Sequence, residues 1–270
     1  MNIRVLVIGA LVAMSPLTTG AQCNMENTAF GSGEYLSYDL YFNWKFVWVK
    51  VGSASMSTVL SRYKGQDAYR SSLVTRTSNK LDNIFMLRDT LLSYSTKDLV
   101  PLYYHKGAHE GDRYYVDEIF YSYPEGKTHL KQHRINRHGE HKWQETDYED
   151  CIYDMMSIFL KARNFDTSNF EEGQIIPLPI SDAKKLNDTW LKYIGRENFE
   201  IEGTGKKYRC LVFSFMERED GKTSEIIRFY ITDDNNHIPV RLDMYLSFGT
   251  AKAFLKGYKG VKSPMTSRID

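Results

Sequence analysis

Apolar and polar residues alternate along most of this chain with a period of two, the signature of half-buried β-strands. Gly33 to Val51 reads as one long strand with Tyr38, Leu40, Phe42, Trp44, Phe46 and Trp48 on one face. The opposite face carries Tyr41, Asn43, Lys45, Val47 and Val49, so neither face is wholly polar and the strand belongs to a large twisted sheet. Gly52-Ser53 breaks it. Further strands are predicted over Ala54 to Arg62, Ala68 to Thr77 and Phe85 to Ser95, with turn chemistry at Lys64-Gly65-Gln66 and Ser78-Asn79. Tyr103-Tyr104, Tyr114 to Tyr123 and Thr128 to Arg137 extend the meander, separated by His105 to Asp112 and by Pro124-Glu125-Gly126. Strands resume at Gln174 to Ile180, Trp190 to Glu202, Tyr208 to Arg218, Ser224 to Thr232, Pro239 to Ser247 and Thr250 to Tyr258.

One stretch changes period. Ile152, Met155, Met156, Phe159 and Leu160 fall at i, i+3, i+4, i+7 and i+8, which is a single apolar helix stripe. Thr146 and Glu149 have capping-box spacing and Asn164 is an exit, so a helix is predicted over 148–163. The expected fold is mainly β: a curved antiparallel meander sheet or barrel-like sheet with one central amphipathic helix, as a single domain over 22–270. Its two runs of strands, about 33–146 and 174–262, echo each other. Tyr69-Arg70-Ser71-Ser72-Leu73-Val74 corresponds to Tyr208-Arg209-Cys210-Leu211-Val212, and Pro101 follows Tyr69 by 32 residues where Pro239 follows Tyr208 by 31. Related half-sheets would produce this, as would turn chemistry reused by a meander.

The first 21 residues set the compartment. Arg4, the apolar run from Val5 to Met14, Pro16 and the small-residue exit Thr19-Gly20-Ala21 form a secretory signal peptide pattern, with cleavage expected after Ala21. That run is about half the ~20 residues a membrane-spanning helix needs, and no later run is longer, so no transmembrane segment is expected. The expected location is the periplasm or the medium. Removing Arg4 leaves 34 basic against 34 acidic residues, which gives no net electrostatic footprint for nucleic acid or anionic lipid. Cys23 invites a lipid-anchor reading, but Gln22 is large and polar where a lipoprotein signal has a small residue. Cys151 and Cys210 read as two reduced buried thiols, with a bond between them as the alternative.

Candidate chemistry is sparse. His105 and His109 flank a glycine, and His129, His133, His138 and His141 lie within thirteen residues. His129 and His133 share a strand face and are the candidate metal ligands, although Lys131, Arg134 and Arg137 would repel a cation and a solvated hairpin has the same composition. Ser53, Ser55 and Ser57 lack the glycine-flanked elbow of a nucleophile, so no catalytic residue is assigned. Gly203-Thr204-Gly205-Lys206-Lys207 departs from a phosphate loop, having Glu200 for the first glycine and Lys207 for the hydroxyl residue, and Asp233-Asp234-Asn235-Asn236 lacks the glycine and closing glutamate of a calcium loop. Both read as turns, and no cofactor is implied. Trp44, Trp48, Met156 and Phe159 are the candidate ligand-binding residues, as the wall of a cavity under the helix or else as plain core.

Thr232-Asp233-Asp234, His237-Ile238-Pro239-Val240-Arg241-Leu242 and Phe248-Gly249-Thr250-Ala251-Lys252-Ala253-Phe254-Leu255 resemble the domain of unknown function 3108 family of exported bacterial proteins, with a YmcC-like fold. Gly33-Glu34-x-Leu36-x-Tyr38, Val51-Gly52-x-Ala54 and Tyr153-Asp154-Met155-Met156-Ser157 resemble its pattern too, so the resemblance covers nearly the whole mature chain. It implies a fold and no catalytic residues. YmcC-type relatives are associated with capsule and exopolysaccharide export, and some are lipoproteins; the half-barrel-plus-helix plan is also similar to periplasmic lipoprotein carriers. The expectation is an exported, non-enzymatic binding or chaperone-like envelope protein for a lipidic or glycan ligand or an envelope partner protein. Two alternatives are a metal-dependent or hydrolytic envelope enzyme using the His129–His141 segment and a structural subunit of an envelope complex.

Overall fold

A computed structural model describes residues 23–44, 47–79, 86–247 and 249–269; residues 1–21, read above as a signal peptide, and Lys45, Phe46, Phe85 and Phe248 lie outside them. The first half contains β1 (Glu34–Trp44), β2 (Val47–Tyr63), β3 (Gln66–Thr77), β4 (Leu87–Ser95), β5 (Pro101–Glu110), β6 (Arg113–Ser122), β7 (Thr128–Ile135) and β8 (His141–Tyr148). The helix α1 (Met155–Ala162) follows. The second half contains β9 (Ile175–Pro177), β10 (Ile180–Ser181), β11 (Leu186–Ile201), β12 (Lys206–Glu219), β13 (Lys222–Thr232), β14 (Pro239–Leu246) and β15 (Gly249–Lys259).

All fifteen strands join one antiparallel sheet in the order β10-β11-β12-β13-β14-β15-β1-β2-β3-β4-β5-β6-β7-β8, with β9 paired to β11. The sheet is not closed, and the fold is mainly β with one helix, as expected. Its ends approach without a shared ladder: Tyr153 forms a parallel bridge to Ile180, and the Ser181 hydroxyl donates to Gln132 Oε1 of β7 at 2.7 Å. In such a meander alternate turns fall at alternate ends. One end is covered by the N-terminal segment, where Met25 N–H donates to Asp98 O, and by the C-terminal segment, where Ile269 N–H donates to Lys207 O. The other end carries the β5–β6 and β7–β8 turns and the 182–185 loop.

Four local readings are corrected. The long strand over 33–51 is a hairpin turning between Trp44 and Val47, and because Trp48 pairs with Asn43 and Val49 with Phe42, Trp48 and Phe42 lie on opposite faces. A two-residue turn shifts parity, so alternation runs through it unbroken while the faces exchange. His105 to Glu110, read as part of a loop, belong to β5, and the turn is only Gly111-Asp112. The segment 141–148, assigned to a turn and a helix start, is β8. The helix therefore starts later, with Asp154 as its cap: Asp154 Oδ1 accepts from Met156 N at 2.9 Å and Ser157 N at 2.8 Å, while Ser157 Oγ accepts from Asp154 N.

The cysteines also depart from the reading. Cys151 is bonded to Cys23, 128 residues away, which ties the N-terminal segment to the approach of α1, and Cys210 is the free thiol, buried in β12. Burial pushes that thiol up to about 12. Sequence spacing carried no signal for the bond because a disulfide of this span is set by how the N-terminal segment packs beside the approach of α1, not by local geometry.

Two apolar clusters flank the helix. Met156 and Leu160 join the core facing Leu36, Ile119, Leu130, Ile238 and Val240, whereas Ile158 joins a second cluster with Leu191, Tyr193, Leu211 and Phe213. β12 is thus buried on both faces from Cys210 to Phe215, which explains its unbroken apolar run. The corresponding loops of the two halves are built alike. Val100 N–H donates to Thr96 Oγ1 at 3.1 Å and Ile238 N–H to Thr232 Oγ1 at 2.8 Å, each after a residue of positive φ, Leu99 and His237, and each before a strand-starting proline.

Candidate functional site

The face of β4–β8 turned away from the core presents two parallel rows of side chains. One row runs Tyr94, Tyr103, Phe120, Lys131 and Glu145 from β4 to β8, and the next runs Leu92, His105, Glu118, His133 and Trp143. Opposed residues in adjacent strands stand close enough for their side chains to touch. Rings form a contiguous belt: Tyr63 of β2 stacks on Tyr103 at 5.9 Å, Tyr103 meets Phe120 at 5.1 Å, and Phe120 stacks on Trp143 at 6.3 Å. Trp143 in turn lies over His133 at 4.1 Å with the planes 12° apart, and Trp143 is 52% exposed. Four strand spacings from β4 to β8 make the belt roughly 19 Å wide.

Glu118 is the hub of the polar groups. One carboxylate oxygen lies 2.7 Å from His133 Nδ1, and the other accepts the Tyr103 hydroxyl and stands 3.7 Å from His105 Nδ1. Burial raises the Glu118 pKa, but the Tyr103 and His133 hydrogen bonds outweigh it and hold the carboxylate below its usual range. Burial and then Glu118 push the Tyr103 hydroxyl up, keeping it a donor. An ionised Glu118 makes His133 the donor at Nδ1, and His133 Nε2 shares a hydrogen bond with His141 Nδ1 at 2.9 Å. This carboxylate–imidazole–imidazole chain orients two rings. Among the described residues no hydroxyl or thiol side chain hydrogen-bonds to either ring.

The residues singled out from sequence fall in different places. His129 and His133 do share the outer face of β7, but His129 Nδ1 pairs with Asp147 at 2.7 Å while His133 engages Glu118 and His141. Among the described residues no group of three or more His, Cys, Asp or Glu is arranged to hold a metal ion. Met156 is buried in the core and Phe159 packs against it. Trp48 is 38% exposed, with Lys252 Nζ 4.1 Å above its ring, and the Trp44 side chain lies outside what is described. Of the three whose side chains are described, Trp48 is at the surface while Met156 and Phe159 belong to the core.

Tyr63, Tyr94, Tyr103, Glu118, Phe120 and Trp143 were not identified from sequence. The alternation Val116, Glu118, Phe120 was legible, but a row across strands depends on register, which sequence does not print. Trp143 escaped because His141–Tyr148 has few apolar residues and so shows no strand alternation.

The family described as "Protein of unknown function (DUF3108)" matches residues 37–256. Among solved structures, a β-barrel-like protein of domain of unknown function DUF1849 from Brucella abortus has 12% identity and a TM-score of 0.53, covering 86% of this chain and 98% of that one. A chain described as an exported protein with a YmcC-like fold from Bacteroides fragilis has 8% identity, a TM-score of 0.36, and coverage of 88% and 100%. A chain described as a lipoprotein from Parabacteroides distasonis has 12% identity, a TM-score of 0.34, and the same coverage. No curated protein matches. Among the described residues no helix is long and apolar enough to cross a membrane.

Proposed function

This chain belongs to the DUF3108 family, and on that premise we propose that it is an exported, non-enzymatic binding protein of the cell envelope that takes a glycan on the outer face of β4–β8. The observation that carries this reading is the belt of rings from Tyr63 through Tyr103 and Phe120 to Trp143. A pyranose has one face of C–H groups and a rim of hydroxyls. Flat aromatic faces pack on the first, and Glu118, His105, Lys131 and the Tyr103 hydroxyl hydrogen-bond the second. The interior favours a surface site, since Leu36, Ile119, Leu130 and Met156 are almost wholly enclosed by side chains and not by a void. Export without a lipid at Cys23 is supported by the bond to Cys151, because a sulfur in a disulfide carries no thioether.

Calorimetric titration of the mature chain with neutral and uronic-acid oligosaccharides tests the reading. Binding is expected to weaken about tenfold in Trp143→Ala, the scale of one lost aromatic contact. Equal affinity in that variant, or no heat with any oligosaccharide, overturns it. A second reading, a subunit of an envelope complex, is favoured by β8: it ends the sheet, one of its edges has no ladder partner, and its side chains are exposed on both faces over residues 141–145. Native mass spectrometry of protein purified from its host would then show a bound polypeptide in place of a glycan.

A further inference from the structure

The uncovered end of the sheet holds a cleft of about 390 Å³ between the β5–β6 turn, the β7–β8 turn and the 182–185 loop. Arg113, Arg134, Arg137 and Lys184 line it, and Glu110 is the one carboxylate among the lining residues. That carboxylate is already engaged: it accepts the Tyr115 hydroxyl at 2.9 Å and lies 4.0 Å from Lys106 Nζ. The cations are engaged unevenly. Arg134 Nε stands 3.5 Å from Asp117 and its guanidinium lies over the Tyr115 ring, 5.9 Å from the centroid, while Arg137 donates to His138 Nε2 at 3.1 Å. Among the described residues the side chains of Arg113 and Lys184 have neither hydrogen bond nor ion pair. The cleft shape is fixed from beneath, since Asn136 Oδ1 accepts from His138 N and Glu140 N and Asp182 Oδ1 from Lys184 N and Lys185 N.

We infer that this cleft binds a phosphate ester, with the guanidinium groups of Arg113, Arg134 and Arg137 and the Lys184 ammonium taking the phosphate oxygens. Like charges gathered with so little compensation repel one another, in a chain whose residues 22–270 are otherwise balanced at 34 against 34. An anion removes that repulsion. Guanidinium forks match carboxylate and phosphate alike, but one carboxylate occupies one fork. Three guanidinium groups from β6, β7 and the β7–β8 turn and an ammonium from the 182–185 loop, lining one cleft, suit a doubly charged group with three free oxygens. The volume exceeds what a lone ion fills, so the phosphate arrives attached to a larger body, either a soluble ester or a lipid headgroup. The inference is independent of the glycan reading, whose aromatic belt lies on the other face of the same strands.

The test titrates the mature chain with glycerol 3-phosphate, inorganic phosphate and acetate, and sediments it with vesicles of phosphatidylglycerol or of phosphatidylcholine. Glycerol 3-phosphate is expected to bind, with affinity at least tenfold lower in Arg113→Ala/Arg137→Ala, whose exposed side chains hold no element together, and unchanged in Trp143→Ala. A headgroup source gives sedimentation with phosphatidylglycerol that the double variant loses; a soluble source gives binding of the ester without sedimentation. Unchanged affinity in the double variant, acetate competing as well as phosphate, or no binding of any phosphate probe overturns the inference.

Discussion

Arg163 and Glu34, 129 residues apart, meet in a two-pronged ion pair at 2.6 and 2.8 Å with 1% of either side chain exposed. Arg163 follows α1, Glu34 opens β1, and the guanidinium also donates to Asn236 O in the β13–β14 loop, at 3.2 and 2.9 Å. Three distant segments are thus pinned at the covered end. Removing one partner leaves the other charge buried and unpaired, so Glu34→Ala or Arg163→Ala is expected to cost about 3–5 kcal/mol in urea unfolding. Glu34→Leu/Arg163→Met should cost much less than either single change; equal losses in all three would show that the pair's charges are not what matters.

The Cys23–Cys151 bond closes a span of 128 residues, and a loop of that order contributes about 4–5 kcal/mol in the chain-entropy account of disulfides. Reduction, or Cys23→Ser/Cys151→Ser, is expected to lower the melting temperature clearly. In the oxidised protein a thiol reagent should find one cysteine only, and only after denaturation, because Cys210 is buried and its thiol is raised to about 12. Two thiols reacting in denaturant without reductant would contradict the pairing.

The strand content and the meander were legible because period-two alternation survives wherever one face is buried and the other wet. Legibility failed where neither face is buried. β8 has exposed side chains on both faces over much of its length and showed no strand pattern, while the 33–51 pattern passed through a turn unnoticed because Val47 and Val49 are apolar although exposed. The helix stripe at Met156 and Leu160 was read correctly and its start was not: the true cap, Asp154, competes with an equally well-spaced Thr146 and Glu149, and only the pairing of Thr146 with Leu130 decides between them. The aromatic belt joins rings of four strands and the cationic cleft joins three strands, a turn and a loop, and no local pattern encodes either.

Asp89, on the inner face of β4, titrates where few carboxylates do. Burial pushes it up to about 6 from its usual 3.8, against the pull of Lys106, with Glu110 adding to the rise, and its Oδ1 has no hydrogen-bond partner. Between those two values the folded chain binds more protons at this site than the unfolded chain, so stability falls as pH rises through the window and the penalty is complete above it. Asp89→Asn removes the penalty. Its melting temperature is expected to exceed the wild type's near pH 7.5, with the difference shrinking as pH falls toward 4; a difference independent of pH would place the pKa of Asp89 in the ordinary range.

Gly52 sits in β2 beside the register shift at Leu40/Tyr41, opposite Leu40 of β1 and Thr77 of β3. A Cβ built there would stand 2.1 Å from the backbone oxygen of Arg76 and 2.9 Å from Thr77 Cα. Both obstacles are main chain of a strand paired on each side, so neither can swing away as a side-chain tip would. Alanine must therefore spread β2 from β3 or shift the bulge that lets β1 turn, at a cost of about 1–3 kcal/mol or more, the range for overpacking a filled interior. Gly65, by contrast, has open space around its Cβ position but a φ of +88°, so Gly65→Ala meets backbone strain without collision. Thermal unfolding of the two variants separates the causes: Gly52→Ala is expected to lose more stability and, by amide exchange, to loosen β2 and β3 along their shared ladder, while Gly65→Ala loosens only the turn. Native exchange protection along Ala54 to Thr58 in Gly52→Ala would mean that the strands absorb the methyl and that the close approach is not what demands glycine.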